Sequence, residues 1–158
     1  MKKIFIVFDC SGSFFVRGKK NLLSYAFYTI QSIVQRPLFE DIEVHCMYWQ
    51  DDKIRKLTNS DILENPVGCN GCVCLAEFLQ ANCNQQCVVL TDACMDTNAW
   101  KLIENIPDEI KANVRMVLVG ADADWQMAGR CGICLFPLED LPVVVQEAAL
   151  QTKMIERI

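Results

Sequence analysis

Lys3-Ile4-Phe5-Ile6-Val7-Phe8-Asp9-Cys10-Ser11-Gly12-Ser13 is the stretch whose reading decides the fold. Its apolar run, Ile4 to Phe8, has no polar alternation, which suits a strand buried on both faces of a parallel sheet. The run stops at a carboxylate followed by small polar residues. A second run of the same character, Cys87 to Leu90, passes through Thr91 and also meets an acid, Asp92.

Outward from these two strands the chain alternates in period. Leu23, Phe27, Ile30 and Val34 form one apolar helical stripe that Pro37 terminates. Glu43 to Trp49 is β-prone, and Lys53 to Leu57, after the Gln50-Asp51-Asp52 turn, pairs with it as a short antiparallel edge strand. Pro66, Gly68, Asn70 and Gly71 mark a loop before a helix bearing Leu75, Phe78 and Leu79. Asp96 or Thr97 caps the next helix, with Trp100, Ile103 and Ile106 inward and Pro107 closing it. Val114 to Val119 is another buried strand and Cys134 to Phe136 a short last one. Asp140, with Pro142 in the first turn, opens a C-terminal helix running to about Ile155. This alternation predicts an α/β fold: a doubly wound, mainly parallel sheet with one antiparallel edge strand and helices on both faces. Ligands of such sheets bind beyond the carboxyl ends of the strands, where the strand order reverses, and Asp9 and Asp92 stand at two such ends.

A chain of 158 residues, 52% of them hydrophobic, is expected to form one domain over 1–158. A net charge of -5 leaves no basic field for a phosphate backbone, so nucleic acid is not an expected partner. The run from Ile4 to Phe8, broken by Asp9, is too short for a signal-peptide core or a membrane span, which places the expected location in the cytoplasm, away from membranes. Without an oxidising compartment, the ten cysteines read as reduced thiols, several of them small buried hydrophobes.

Asp9, Ser11 and Ser13 alternate over five residues, so a tight turn, eased by Gly12, aims three oxygens the same way. Hard cations such as Mg²⁺ and Mn²⁺ take six oxygen ligands, and hydroxyls supply oxygens without cancelling the ion's charge. An ion so held accepts one further carboxylate from outside. The alternative reading is that the same three side chains cap the loop and helix that follow.

The chain resembles the von Willebrand factor A domains with their metal-ion-dependent adhesion site. The strand running into Asp9-Cys10-Ser11-Gly12-Ser13 matches that family's first motif, and Val88-Val89-Leu90-Thr91-Asp92-Ala93 matches its third, with Ala93 in place of glycine. Asn70-Gly71-Cys72 stands where the family's second loop has a threonine. The order of the remaining elements is similar to that of small bacterial intracellular members associated with tellurite resistance. The resemblance implies Mg²⁺ or Mn²⁺ at Asp9, Ser11, Ser13 and Asp92. Cys72 is then an accessory position, where a soft thiol is a poor ligand for a hard ion and water takes the threonine's place. It also implies a protein partner recognised through an acidic residue, of the kind a kinase, phosphatase or AAA-type ATPase provides. A decayed site, with binding through other surfaces, is the variant of this reading.

The sequence offers other candidate sites. Cys69/Cys72 and Cys131/Cys134 have the local spacing of a four-thiolate zinc site or a redox pair. The fold puts the two pairs at opposite edges, so zinc is not expected, and no thioredoxin-like order surrounds either pair. His45, the one histidine, lies in a strand without triad partners. Gly18-Lys19-Lys20 lacks the pattern of a phosphate loop and reads as a solvated helix start. Asp96, Asp122 and Asp124 fall at the ligand edge as an acidic rim or as caps, and Phe14 and Phe15 as an apolar contact surface or as core. No enzyme activity is expected.

Overall fold

The structure, a computed structural model, describes residues 2–15, 18–50, 53–64 and 73–154. Six strands form one sheet: β1 (Lys2–Asp9), β2 (Ile42–Gln50), β3 (Lys53–Lys56), β4 (Gln86–Thr91), β5 (Val114–Leu118) and β6 (Cys134–Pro137). Their order is β3-β2-β1-β4-β5-β6, parallel throughout except for the antiparallel edge strand β3. The connecting helices are α1 (Lys19–Ile33), α2 (Asp61–Glu64), α3 (Val73–Ala81), α4 (Thr97–Glu104), α5 (Asp108–Lys111), α6 (Trp125–Gly129) and α7 (Leu141–Met154).

The period-2 geometry of the strands sorts the core into two layers. Ile4, Ile6 and Phe8 of β1, with Val88 and Leu90 of β4, face α1 and α7, meeting Leu23, Phe27, Ile30, Val144 and Ala148. Val7, Cys87, Val89 and Met116 face the other way, onto Leu75 and Leu79 of α3 and Trp100 and Ile103 of α4. Apolar runs are therefore favoured in β1, β4 and β5, and the one charge in β5, Arg115, is buried only with Gln86 Oε1 at 2.6 Å to accept from it.

Helix ends follow local chemistry. Asp96 caps α4 by accepting the Ala99 N–H at 2.8 Å, and Asp124 caps α6 by accepting that of Met127 at 2.9 Å. The turn Leu138–Asp140 runs directly into α7, so Asp140 lies inside a 3₁₀ turn and Leu141 is the first α-helical residue. Pro107 follows α4 by three residues and stands as the N-cap position of α5. The loop carrying Pro66, Gly68, Asn70 and Gly71, and the end of the C-terminal helix at Ile155, lie outside the described residues.

Leu90 is fully buried between β1, β5 and the α1/α7 layer. Leu90→Ala is expected to lower the unfolding free energy by about 3 kcal/mol, read as a fall in urea midpoint at unchanged slope.

Candidate functional site

The strand order reverses between β1 and β4, and the parallel register that pairs Phe8 with Leu90 brings Asp9 beside Thr91. The Thr91 hydroxyl donates to Asp9 Oδ2 at 2.7 Å, and the Ser11 N–H donates to Oδ1 at 2.9 Å. A 3₁₀ turn over Gly12–Phe15, tied by the Phe14 N–H to the Ser11 carbonyl, sets the Ser11 and Ser13 hydroxyl oxygens 3.0 Å apart. The turn is anchored from below, because Cys10 and Phe14 are both buried in the α1/α7 layer.

Asp92, fully buried, begins the loop after β4. Its Oδ1 accepts the Cys94 N–H at 3.0 Å, and its Oδ2 lies 2.9 Å from the ammonium of Lys19. That ammonium also meets Asp122 Oδ1 at 3.0 Å. Lys19 is 2% exposed, which corrects the reading of Gly18-Lys19-Lys20 as a solvated helix start. One buried carboxylate, Asp92, and one exposed, Asp122, draw the lysine inward, since a charge leaves water only when it is paired and hydrogen-bonded.

Burial is the largest cause that raises the Asp9 pKa to about 6, followed by the charge of Asp92, against hydrogen bonds from Ser11 and Thr91 that lower it. Asp9 has no cationic partner among the described residues. For Lys19, burial alone pulls the pKa down, but the bonds and charges of Asp92 and Asp122 outweigh it, and the net movement is upward.

Asp9, Ser11 and Ser13 present hard oxygens only. Adjacent ligand oxygens of an octahedral ion with bonds of 2.0–2.1 Å stand roughly 2.9 Å apart, close to the spacing of the two hydroxyls. This part of the set fits Mg²⁺ or Mn²⁺. Asp92 is brought to the same crevice, but its charge is matched by Lys19. Among the described residues no three His, Cys, Asp or Glu side chains are grouped as a metal centre, so a cation here would rest on hydroxyls as much as on carboxylates.

The accessory candidates take other places. Asp96 is engaged as the α4 cap, and Phe14 is fully buried, so it offers no exposed contact surface. Cys72, like Cys69, lies outside the described residues. Cys131 is buried with its thiol donating to the Ala128 carbonyl, whereas Cys134 is exposed, so that pair does not share one environment. Among the described residues, Cys46, Cys83, Cys87, Cys94, Cys131 and Cys134 are free thiols. His45 shares a hydrogen bond with Glu43 at 3.1 Å and lies against the Phe5 ring.

Three residues escaped the sequence reading: Lys19, Thr91 as the donor to Asp9, and Gly120. Gly120 has φ +97°, and a Cβ there would lie 3.0 Å from both Lys19 Cδ and Asp122 Oδ1. A lysine in the first turn of a helix, where the dipole disfavours a cation and no acid precedes it, was the signal available for the first.

Ala93 holds the left-handed conformation, φ 62°, at the place where the resemblance has glycine. Ala93→Gly is expected to be stabilising by up to about 1 kcal/mol in thermal unfolding, through relief of that strain. A second expectation concerns pH. Since Asp9 is raised from 3.8 to about 6 in the folded state, its penalty is absent below about pH 4 and complete above pH 7, about 3 kcal/mol at most. In EDTA, the stability of Asp9→Asn relative to the wild type should therefore increase as pH rises through this range, measured by urea unfolding at each pH.

No protein-family model and no curated protein matches the chain. Solved structures do. An aerotolerance-related membrane protein from Bacteroides fragilis, with multiple mutations to serines, superimposes with TM-score 0.58 at 13% identity over 100% of both chains. The manganese-loaded TRAP protein of Plasmodium vivax gives 0.57 at 10% identity, over 94% of this chain and 73% of that one. Proximal thread matrix protein 1 of the mussel byssus gives 0.55 at 16%, over 94% and 46%. At such identities the likeness concerns the fold, and the fold of this chain is the α/β, Rossmann-like fold of von Willebrand factor A domains.

Proposed function

We propose that the chain is a protein-interaction module of the von Willebrand factor A type, without turnover of its own. In this reading it recognises an acidic residue of a protein partner at the strand-end site, through Mg²⁺ or Mn²⁺ held by Asp9, Ser11 and Ser13, with Asp92 behind them. The observation that carries this is the Asp9 carboxylate, buried and without a cationic partner among the described residues, next to two hydroxyls 3.0 Å apart. When bound, the ion supplies positive charge and a coordination position for an incoming carboxylate.

The chain's own residues do the positioning. Thr91 and the Ser11 N–H orient both Asp9 oxygens, and the turn anchored by Phe14 holds the hydroxyls. The Trp100 indole N–H, donating to the Ala93 carbonyl at 3.2 Å, fixes the loop that carries Asp92. That the TRAP protein of similar fold is manganese-loaded supports the reading. No helix of the described residues is long and apolar enough to cross a membrane, and a cytoplasmic kinase, phosphatase or AAA-type ATPase remains the class in which we would seek the partner.

One observation favours a second reading, in which the site has decayed: Asp92 is already neutralised by Lys19. Binding would then use another surface, such as Tyr25 and Tyr28 of α1 and Val143 of α7, which are 60%, 57% and 56% exposed. The two readings separate in one experiment. Under the first, Mn²⁺ raises the melting temperature of EDTA-treated protein by a few degrees, and Asp9→Ala or Ser11→Ala abolishes both this rise and retention of the partner in a pulldown. Unchanged melting together with unchanged retention in these variants would leave the second.

A further inference from the structure

We infer that Lys19 is a built-in counter-cation that determines how strongly the strand-end site takes a divalent ion, because the ammonium and the ion compete for Asp92. This rests on the metal-dependent reading above and adds to it a residue outside the Asp-x-Ser-x-Ser motif.

Four features build the lysine's place. First, the ammonium bridges Asp92 and Asp122 at 2.9 and 3.0 Å, so it joins the loops after β4 and β5 to the start of α1. Second, its stem runs past Gly120, where a Cβ would lie 3.0 Å from Lys19 Cδ and 3.3 Å from Cγ. Third, the Phe14 ring, part of the turn that carries Ser13, lies 5.6 Å from the ammonium, within cation–π range. Fourth, Gly18 in the left-handed conformation, φ 73°, starts α1 without a side-chain cap and turns Lys19 inward.

With Oδ2 on Lys19 and Oδ1 on the Cys94 N–H, both oxygens of Asp92 are engaged without any ion. A divalent cation at Asp9, Ser11 and Ser13 that also takes Asp92 meets the ammonium already held on that buried carboxylate, and like charges repel. To recruit Asp92 the ion has to displace the ammonium. The pair lets the site stay folded without metal and sets a threshold for metal binding, and neutralising Lys19 lowers that threshold.

The test is Mn²⁺ binding, followed by calorimetry and by the rise in melting temperature, on wild type and Lys19→Gln after EDTA treatment and dialysis. We expect Lys19→Gln to melt below wild type in EDTA, to bind Mn²⁺ at least tenfold more tightly, and to gain the larger rise in melting temperature. Equal, measurable Mn²⁺ affinity in the two proteins overturns this inference and leaves the metal-dependent reading standing. No Mn²⁺ binding by either overturns both. Should Lys19→Gln fail to fold in EDTA, recovery of its fold by Mn²⁺ supports the competition. Failure of both Lys19→Gln and Lys19→Met to fold even in millimolar Mn²⁺ overturns it, since the ion then does not take the lysine's place.

Discussion

Two carboxylates buried side by side at the ends of adjacent parallel strands are the constraint around which this end of the molecule is arranged. Asp9 and Asp92 raise each other's energy, and neither reaches bulk water. The protein answers unequally. Asp92 receives a full positive charge from Lys19, while Asp9 receives two hydrogen-bond donors and no cation among the described residues. From that inequality follow the buried start of α1 and the bare α-carbon of Gly120 that admits the lysine stem.

The same inequality gives the site its chemical direction. The Asp9 carboxylate is held by neutral donors alone, so on the proposed reading the Asp9 side of the crevice is the side that would take a cation. The Asp92 side is closed by an internal ion pair. In the metal-dependent reading proposed above, a bound ion and the ordered lysine would balance against each other there, within loops supported by two apolar layers.

Much of the architecture was legible along the chain because burial on both faces leaves a plain mark. Ile4 to Phe8, Val88 to Leu90 and Met116 to Val119 show unbroken apolar runs, and the helices between them show stripes at the helical period. Asp9 and Asp92 were placed at one edge for the same reason, each being the first acid after a buried strand. The short helices α2, α5 and α6 left weaker marks, having one turn or little more, too short for any period to develop. Phe14 and Asp96 show the limit of reading by neighbourhood: both are near the motif, yet one faces the core and the other caps a helix.

What the sequence by itself determined is therefore the sheet, its covering helices and the pair of acids at the strand ends, because these depend on local pattern and on the handedness of parallel connections. What only the tertiary structure decided is which charge answers which. Lys19 is separated from Asp92 by 73 residues and from Asp122 by more, and its unfavourable place in the first turn of α1 does not name the acids that answer it. Its position depends on three loops converging beyond the sheet, and a free energy that arises from long-range convergence of charges leaves no periodic trace in the chain.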